Sequence, residues 1–469
     1  MTDFFLLMKS ELSLILLIIF LLVYKIRKNG TDYSSLINWM NFLLLLNFAS
    51  GWIFNSEGQL FNGMFRNTTL LSFEKNILNL ATWIIVLQST DWLKKHQHVP
   101  EFFVLLLSSL LGMFYMLSSG NILMFYLSLE LSTIPLAAMV NFDLEKKQSG
   151  EAAMKMILSS AFSSCLLLFG ISILYGTTGT LRFDEIPAKL DGNSLQIISF
   201  ILIFTGFAFK LSVVPFHLWT ADVYEGAPVA VTSFLSVVSK ASMLFVTVSV
   251  LYTVFRPLAM AWYNVVVACS ILTMIIGNLF ALRQDNLKRF LAFSSIAQVG
   301  FILIGISGSS QSGMASSIYF MVIYVFSNLG AFGVVSLISA RTGKEYLDDY
   351  KGLYQTNPRL SWLLAISLFS LAGIPPTAGF FGKLFLLTAG AGTGNYVLIG
   401  IAALNMVIAL AYYLRIIRAV FMDPNPMPLE RFNSPGWNKT AFILCVAGML
   451  VIGFAGEVFT YIHSLSFGM

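Results

Sequence analysis

Residues 195–214 read LQIISFILIFTGFAFKLSVV, a stretch of twenty residues that carries one charge, that of Lys210. A helix of this length rises about 30 Å, which is the thickness of the hydrocarbon core of a bilayer. Similar apolar runs recur from Leu12 to Ile462, and no polar stretch between them is long enough to form a separate domain. The stretch therefore predicts one span of an all-α polytopic membrane protein.

The composition of the 469 residues supports the same fold class. Hydrophobic residues make up 57% of the chain, charged residues make up 11%, and the mean hydropathy is +0.79, values that exclude a water-soluble globule. The net charge of +5 comes without a basic helix or arm, so we expect lipid around the chain and no nucleic-acid partner. Cys165, Cys269 and Cys445 lie alone and form no ligand set with the four histidines, so we expect no disulfide, metal site or iron–sulfur cluster.

A hydropathy window of about 19 residues predicts fourteen spans. They are 11–24, 36–54, 76–91, 102–118, 121–141, 154–175, 195–214, 227–254, 262–282, 289–307, 315–339, 360–392, 395–419 and 439–462. We group them into a three-helix segment (1–100), two five-helix units (101–256, spans four to eight, and 257–420, spans nine to thirteen) and a C-terminal loop with the last helix (421–469). Because five is odd, the second unit is expected to be inverted in the membrane relative to the first.

The basic residues are distributed unequally between alternate loops. Nineteen of the 28 Lys and Arg fall on one side of the predicted membrane, and six, including Lys9 and Lys75, fall on the other. The positive-inside rule makes the richer side cytoplasmic. We therefore expect both termini on the side of the membrane away from the cytoplasm.

Three lysines and one acid lie inside apolar segments, namely Lys210, Lys240, Lys383 and Glu130. Each charge at the centre of a span costs about 2.5 to 3.5 kcal/mol unless it pairs or faces water. We interpret the four residues as a chain of proton-translocating groups, in which Glu130 modulates and the lysines carry protons. A structural ion pair between Glu130 and Lys210 is the alternative, and Glu130 is the only acid that we place at such a depth.

Prolines predict breaks in two of these spans. Pro215 follows Lys210 by five residues, and Pro375 and Pro376 precede Lys383. Proline frees backbone carbonyls, which a membrane protein tolerates where protein or water satisfies them. We expect broken helices in spans seven and twelve, as in ion-coupled transporters, with a packing kink as the alternative.

Other polar residues in or beside the spans are candidates for proton relay, each with an ordinary structural alternative. His217 fits an interfacial side chain equally well, Lys155 fits a snorkelling anchor, and buried amides and hydroxyls also join helices. The candidates are His217, Lys155, Gln298, Asn405 and Tyr412, with Ser294, Ser295 and Asn328 as further groups that can hold water.

Three motifs resemble one known family. The stretches FKLSVVPFHLWTADVYEGAPVAVTSFLSVVSKA (209–241), ALRQDNLKRFLAFSSIAQVGFILIG (281–305) and LAGIPPTAGFFGKL (371–384) are similar to the antiporter-like subunits of respiratory complex I and of Mrp-type sodium/proton antiporters. The resemblance covers roughly residues 100 to 420. It implies proton translocation by Glu130, Lys210, Lys240 and Lys383, which match the ionisable residues of helices five, seven, eight and twelve in that family. Gln298 departs from the pattern, because several relatives have a histidine there.

The resemblance also implies a place in a larger assembly. The chain ends at Met469 without the long lateral helix of the largest complex I member, and Lys383 stands where the middle member has Glu, so the similarity is strongest to the member nearest the quinone module. The implied partners are a second antiporter-like subunit, small membrane subunits on the quinone side and a peripheral arm. That arm holds FMN and iron–sulfur clusters and passes electrons to quinone, whereas this chain is expected to bind no cofactor. A subunit of an Mrp antiporter or membrane-bound hydrogenase, and a scaffold that does not pump, are the alternatives.

Overall fold

The computed structural model describes residues 2–27, 33–53, 56–432 and 436–468. Within these ranges the chain is almost entirely helical, and a single hairpin supplies the strands. The N-terminal segment consists of α1 (Thr2–Leu7), α2 (Lys9–Arg27), α3 (Ser34–Ser50), the antiparallel strands β1 (Gly58–Leu60) and β2 (Phe65–Asn67), α4 (Thr69–Gln88) and α5 (Thr90–Leu93).

Two longer series of helices follow. The first consists of α6 (Val99–Leu117), α7 (Ile122–Val140), α8 (Lys147–Thr178), α9 (Ser194–Leu211), α10 (Leu218–Gly226), α11 (Val229–Phe234), a π-helical turn (Leu235–Ser239) and α12 (Lys240–Thr253). The second consists of α13 (Ala259–Ala281), α14 (Leu287–Ser307), α15 (Gln311–Thr342), α16 (Leu353–Thr356), α17 (Pro358–Ala372), α18 (Ala378–Ala391) and α19 (Tyr396–Phe421). The helices α20 (Gly436–Phe454) and α21 (Gly456–Leu465) end the chain, and 3₁₀ turns occupy Ile186–Lys189, Arg256–Leu258 and Leu347–Tyr350.

The fold is that of an all-α polytopic membrane protein. Among the described residues, eleven helices are long and apolar enough to cross a bilayer, and α17 and α18 are shorter apolar helices. The helices α2 and α3 overlap the first two predicted spans but lie outside these eleven. The total of fourteen spans, the inversion of the second unit and the four domain boundaries stay predictions.

The buried core of the molecule is formed by a few central helices. The apolar stretches of α14 and α15 are wholly buried, and those of α4 and of residues 229–253 are nearly so. In α8, α13, α19 and α20 less than two fifths of the corresponding stretch is buried, and large apolar side chains such as Phe162 and Val407 are exposed. An outer surface of this kind suits hydrocarbon, whereas the central helices contact only protein.

Two helices are broken, at the positions that the prolines predict. Between α9 and α10 the backbone leaves the helix at Ser212, which has a φ of 62°, and the Val214–Pro215 peptide bond is cis. Between α17 and α18 it leaves at Gly373, which has a φ of 87°, and the Pro375–Pro376 bond is cis. At both breaks the prolines themselves are exposed, whereas Ser212, Val213 and Thr377 are buried.

Candidate functional site

Glu130 lies in the middle of α7 and is only partly buried. The hydroxyl of Ser164, on α8, donates a hydrogen bond to its Oε1. The side chains that flank Glu130 on the exposed face of α7, Leu127 and Ile134, are apolar. The carboxylate is therefore held by one protein donor at the edge of the helix bundle.

Lys210 is buried in the last turn of α9, just before the break. Its Nζ donates to the hydroxyl of Thr133, which lies one turn along α7 from Glu130 and on the same face. Within the described part of the chain, no nitrogen–oxygen distance of 4.0 Å or less joins Lys210 to Glu130. The direct ion pair considered above is thus not formed, and Thr133 stands between the two groups.

The backbone groups released by the first break find partners within the protein. The indole of Trp219 donates to the carbonyl of Phe209 at 3.1 Å, and the amide of Val214 donates to the hydroxyl of Thr273 at 3.0 Å. These contacts satisfy polar groups that would otherwise be costly at this depth. The break is therefore part of the packed structure around Lys210.

Lys240 follows the π-helical turn directly and is 2% exposed. Its Nζ donates to Oγ of Ser295, on α14, at 2.7 Å, and lies 5.6 Å from the centre of the Tyr224 ring. A π-helical turn inside an α-helix often marks a functional site, because it redirects the side chains that follow. No proline or glycine within the turn signals it in the sequence.

Lys383, on α18, is completely buried. Its Nζ donates to the carbonyls of Leu371 at 2.7 Å and Ala372 at 3.1 Å, and lies 4.7 Å from the centre of the Phe301 ring. The last carbonyls of a helix have no partner within that helix and carry its negative dipole end. The second break therefore creates the site that holds this amine.

A chain of side chains connects the surroundings of Lys240 to those of Lys383. Next to Ser295 on α14, Ser294 bonds to the hydroxyl of Tyr413 at 2.5 Å. Gln298 Nε2 donates to that hydroxyl at 3.1 Å and to the Leu371 carbonyl at 3.0 Å, so Gln298 and Lys383 share one acceptor. We call Ser294, Tyr413, Gln298 and the Leu371 carbonyl the Gln298 bridge.

A small cavity lies beside this bridge. Its volume is about 10 Å³, it has room for about one water molecule, and its lining includes Lys240, Gln298 and Tyr324. Oε1 of Gln298 is buried and accepts no hydrogen bond within the described structure. Lys240 and Gln298 thus both contribute to the lining of this space.

Of the remaining predicted residues, Asn405 and Tyr412 form a separate network. Asn278 donates to Oδ1 of Asn405 at 2.9 Å and accepts from the hydroxyl of Tyr412 at 2.9 Å. Asn328 donates instead to Ser236, in the π-helical turn. Asn278 was not a candidate in the sequence, because a single amide in an apolar helix carries no pattern.

His217 and Lys155 lie on either side of α10. His217 precedes this helix and is buried, and its Nδ1 has no hydrogen-bond partner within the described residues. Lys155, on α8, is partly exposed and contacts Glu151 and Asp222 at 2.7 Å each. Lys155 is thus part of an ion-pair network at the surface of the molecule.

Asp222 is the centre of that network, which the sequence analysis missed. It also binds Arg289 of α14 at 2.7 Å, and Arg289 reaches Glu225 at 2.9 Å. Burial raises the pKa of the Asp222 carboxyl, but the hydrogen bonds from Lys155 and Arg289 outweigh it and hold that pKa below its ordinary value. These four residues, which we call the Asp222 network, connect α8 and α10 of the first unit to α14 of the second.

Glu130 is not the only acid that lies inside the described structure, and its depth in the membrane stays a prediction. Glu11 and Glu74 are completely buried, and Lys75, assigned above to a loop, is 1% exposed within α4. These three residues lie near the ends of apolar runs. A hydropathy window cannot tell whether a residue there is in water or is covered by other helices. Burial there depends on the neighbouring helices and the hairpin.

A search of the described residues for three or more His, Cys, Asp or Glu side chains that could hold a metal ion finds none. Cys165 is exposed, Cys445 is buried, and the cysteines are unpaired.

The chain is similar in sequence and in fold to known membrane proteins. The profile of the family described as NADH:quinone oxidoreductase/Mrp antiporter, TM matches residues 119–409. The chain is 43% identical, over 96% of its length and 96% of the relative's, to the NADH-quinone oxidoreductase subunit N of Phocaeicola vulgatus. A chain of respiratory complex I from Thermus thermophilus has a TM-score of 0.82 and 26% identity, covering 96% of this chain and 98% of that one. A chain of the Mrp complex from Dietzia has a TM-score of 0.85 at 20% identity, covering 97% and 96%, and shows the fold alone.

Proposed function

This chain belongs to the NADH:quinone oxidoreductase/Mrp antiporter transmembrane family, and we propose that it is a proton-translocating membrane-arm subunit of an NADH:quinone oxidoreductase. In this role it moves protons from the cytoplasm outward while quinone is reduced elsewhere in the complex. It is a subunit of a translocase and performs no redox chemistry itself. Its high identity to subunit N over nearly the full length supports this assignment.

We propose that Glu130 and Lys210 control the first step of proton movement. Glu130 and Thr133 lie one helical turn apart along α7, and Lys210, on α9, donates to the hydroxyl of Thr133. A proton on Glu130 removes its negative charge and so weakens the hold of Lys210 on its own proton. Lys155 and His217, on the two sides of α10, are the proposed groups for proton uptake.

The observation that carries the proposal is that two sets of hydrogen bonds, one from Lys240 and one from the site of Lys383, end at the neighbouring residues Ser295 and Ser294. Lys240 binds Ser295, and the Gln298 bridge extends from the neighbouring Ser294 to the carbonyl that Lys383 binds. Tyrosine and serine hydroxyls both donate and accept hydrogen bonds, and the cavity beside Lys240 has room for about one water molecule. We propose that protons pass between Lys240 and Lys383 through the serine and tyrosine hydroxyls and through water, while Gln298 and the Leu371 carbonyl hold these groups in position.

The proposed partners are a second antiporter-like subunit, small membrane subunits on the quinone side and a peripheral arm. The redox cofactors of such a complex, FMN and iron–sulfur clusters, would belong to the peripheral arm, and quinone would bind outside this chain. We place the chain in a bacterial inner membrane with both termini on the periplasmic side, as the distribution of Lys and Arg favours.

The proposal is tested by the proton-to-electron ratio of the purified complex in vesicles. Lys210→Ala and Glu130→Ala are each expected to lower the ratio or the coupled turnover while the complex still assembles. Lys189→Ala, which removes an exposed lysine, is the matched control and should leave both unchanged. An unchanged ratio in assembled Lys210→Ala complexes would refute the proposal and favour a scaffold that does not pump.

A second substitution examines which property of residue 383 is needed. Lys383→Glu replaces the amine by another titratable group in the same buried position. Retained activity would mean that any titratable group is sufficient there. We expect a loss instead, because a carboxylate cannot donate to the two carbonyls that now bind the amine.

A further inference from the structure

A second buried group of ionisable side chains lies outside the proposed relay. Glu11, on α2, and Glu74 and Lys75, on α4, are 0%, 0% and 1% exposed. They lie near the first turns of these helices, beside the hairpin formed by β1 and β2. By the distribution of Lys and Arg this is the side of the membrane with fewer cations, opposite to the Asp222 network.

Lys75 is engaged with one of the two acids. Its Nζ lies 2.7 Å from Oε1 of Glu11 and 3.2 Å from Oδ1 of Asn67, which it binds by a hydrogen bond. The ring of Phe65, in β2, lies 5.3 Å from the same amine. The hairpin thus covers the amine on one side while Glu11 holds it on the other.

Glu74 has no such partner. Both of its carboxyl oxygens are buried, and neither makes a hydrogen bond within the described structure. The charged group that acts on it electrostatically is Lys75, the neighbouring residue. An isolated carboxylate in an apolar interior is far less stable than the neutral acid, so in this arrangement Glu74 retains its proton.

Two further ionisable groups border the cluster. Lys9, on α2, interacts electrostatically with Lys75, and Tyr115, on α6, interacts with Glu11. The Lys9 amine is bonded to backbone carbonyls, including that of Ser50 at 3.3 Å. Tyr115 is neutral at physiological pH.

We propose that Glu11, Glu74 and Lys75 form a proton-binding site in which two carboxyl groups share one ammonium group and one proton. When Lys75 pairs with Glu11, Glu74 carries the proton. If Lys75 moves to Glu74, the proton must lie on Glu11, because two buried carboxylates cannot both remain charged beside one ammonium. The site would then bind and release a proton on the side of the membrane opposite to the Asp222 network.

A structural role alone does not require this composition. Replacing a buried ion pair by an apolar pair of similar volume often leaves the stability of the folded protein unchanged or increases it. A third buried ionisable group without a partner only lowers that stability. Asn67 connects the cluster to the loop outside it, because it accepts from Lys75 and donates to the carbonyl of Ser56 at 2.8 Å. A path of polar groups therefore leads from the buried amine toward the surface.

The experiment is infrared difference spectroscopy of the assembled complex, following the C=O band of a protonated carboxyl group at neutral pH in H₂O and D₂O. We expect such a band in the unsubstituted complex and its loss in Glu74→Gln. Glu457→Gln, which removes an exposed glutamate from α21, should keep the band. An unchanged band in Glu74→Gln would overturn the proposal.

Glu11→Gln tests the shared amine. With Glu11 neutralised, Lys75 is free to pair with Glu74, so Glu74 should ionise and the band should disappear although Glu74 is still present. Persistence of the band in Glu11→Gln would show that the two acids do not share Lys75 and would overturn the proposal. Because the spectrum is recorded without turnover, its outcome is independent of whether Lys210 and Lys240 pump protons.

Discussion

At the scale of single residues, the three buried lysines are held in different ways. Lys210 binds a threonine hydroxyl, Lys240 a serine hydroxyl, and Lys383 two main-chain carbonyls. Only Lys383 uses acceptors that a break in a helix provides. The lysines were predicted from their position in apolar runs, and Ser295 was named as a group that can hold water. Neither Ser295 nor Thr133 was predicted as the partner of a lysine, because hydroxyls are common in membrane helices.

A substitution of Gln298 should interrupt proton transfer between Lys240 and Lys383. Gln298→Leu removes the hydrogen bonds to Tyr413 and to the Leu371 carbonyl but keeps the approximate volume. We expect coupled proton transfer to fall about tenfold, equivalent to about 1.4 kcal/mol. The measurement is the rate of proton uptake into vesicles that contain the complex.

The control for this substitution is Gln284→Leu, since Gln284 lies near the end of α13 and bonds to the carbonyl of Phe280. Its effect on proton uptake should be small. An equal loss of uptake in both variants, or no loss in Gln298→Leu, would mean that protons do not use the Gln298 bridge.

At the scale of helices, the second break depends on a glycine. Gly373 has a φ of 87°, and a Cβ built on it would lie 2.9 Å from Cδ of Lys383. A side chain at this position is therefore opposed by the backbone and by the lysine. Neither constraint is visible in LAGIPPTAGFFGKL, because the contact depends on how α18 folds back against the end of α17.

Gly373→Ala and Gly394→Ala form a matched pair. Gly394 also has a positive φ, of 76°, but has open space around its Cβ position. Both substitutions should cost roughly 1 kcal/mol of stability through the backbone. Only Gly373→Ala should also displace Lys383 and so lower the proton-to-electron ratio of the complex. If the two variants have the same ratio, Lys383 does not lie against Gly373 as described.

The connection between α7 and α8 should depend on pH. Asp143 lies between these helices and accepts from His96 at 3.3 Å and Lys146 at 2.7 Å. Burial raises the pKa of the Asp143 carboxyl, but the contacts with His96 and Lys146 outweigh it and lower that pKa from 3.8 to about 2. The ionised form is therefore stabilised by folding.

Because the pKa is lowered, this stabilisation is complete above pH 4 or so and is lost as the pH falls from about 4 toward 2. It should amount to roughly 1 to 2 kcal/mol. Thermal unfolding of the unsubstituted complex and of Asp143→Asn measures this stabilisation. The difference in stability between the two should be constant from neutral pH to about pH 5 and should vanish near pH 2. A difference that persists at the lowest pH would assign the effect to packing.

At the scale of the whole molecule, the Asp222 network connects the two series of helices. Asp222 binds Lys155 from α8 and Arg289 from α14. From the sequence, Lys155 is expected to be an anchor or a site of proton uptake, and a predicted domain boundary lies between it and Arg289. The structure places both cations on one carboxylate.

Asp222→Asn should loosen this connection. Partly exposed ion pairs contribute about 0.2 to 1 kcal/mol each and are screened by salt, so we expect a destabilisation of roughly 1 kcal/mol at low ionic strength that shrinks at high ionic strength. Asp285→Asn, which removes an exposed partner of Arg415, should have a smaller effect. A loss of stability that does not depend on salt would point to packing of α10.

The sequence by itself determined the fold class and the two broken helices, and it located Lys210, Lys240 and Lys383 inside apolar segments. These properties follow from hydropathy and from proline, which act along the chain within one helix. Only the tertiary structure decided which groups meet: Gln298 with the carbonyl bound by Lys383, Thr133 with Lys210, and Lys75 with Glu11. The physical reason is that a hydrogen bond or an ion pair between helices depends on their rotation and relative height, which the packing of all neighbouring helices sets and no local pattern encodes.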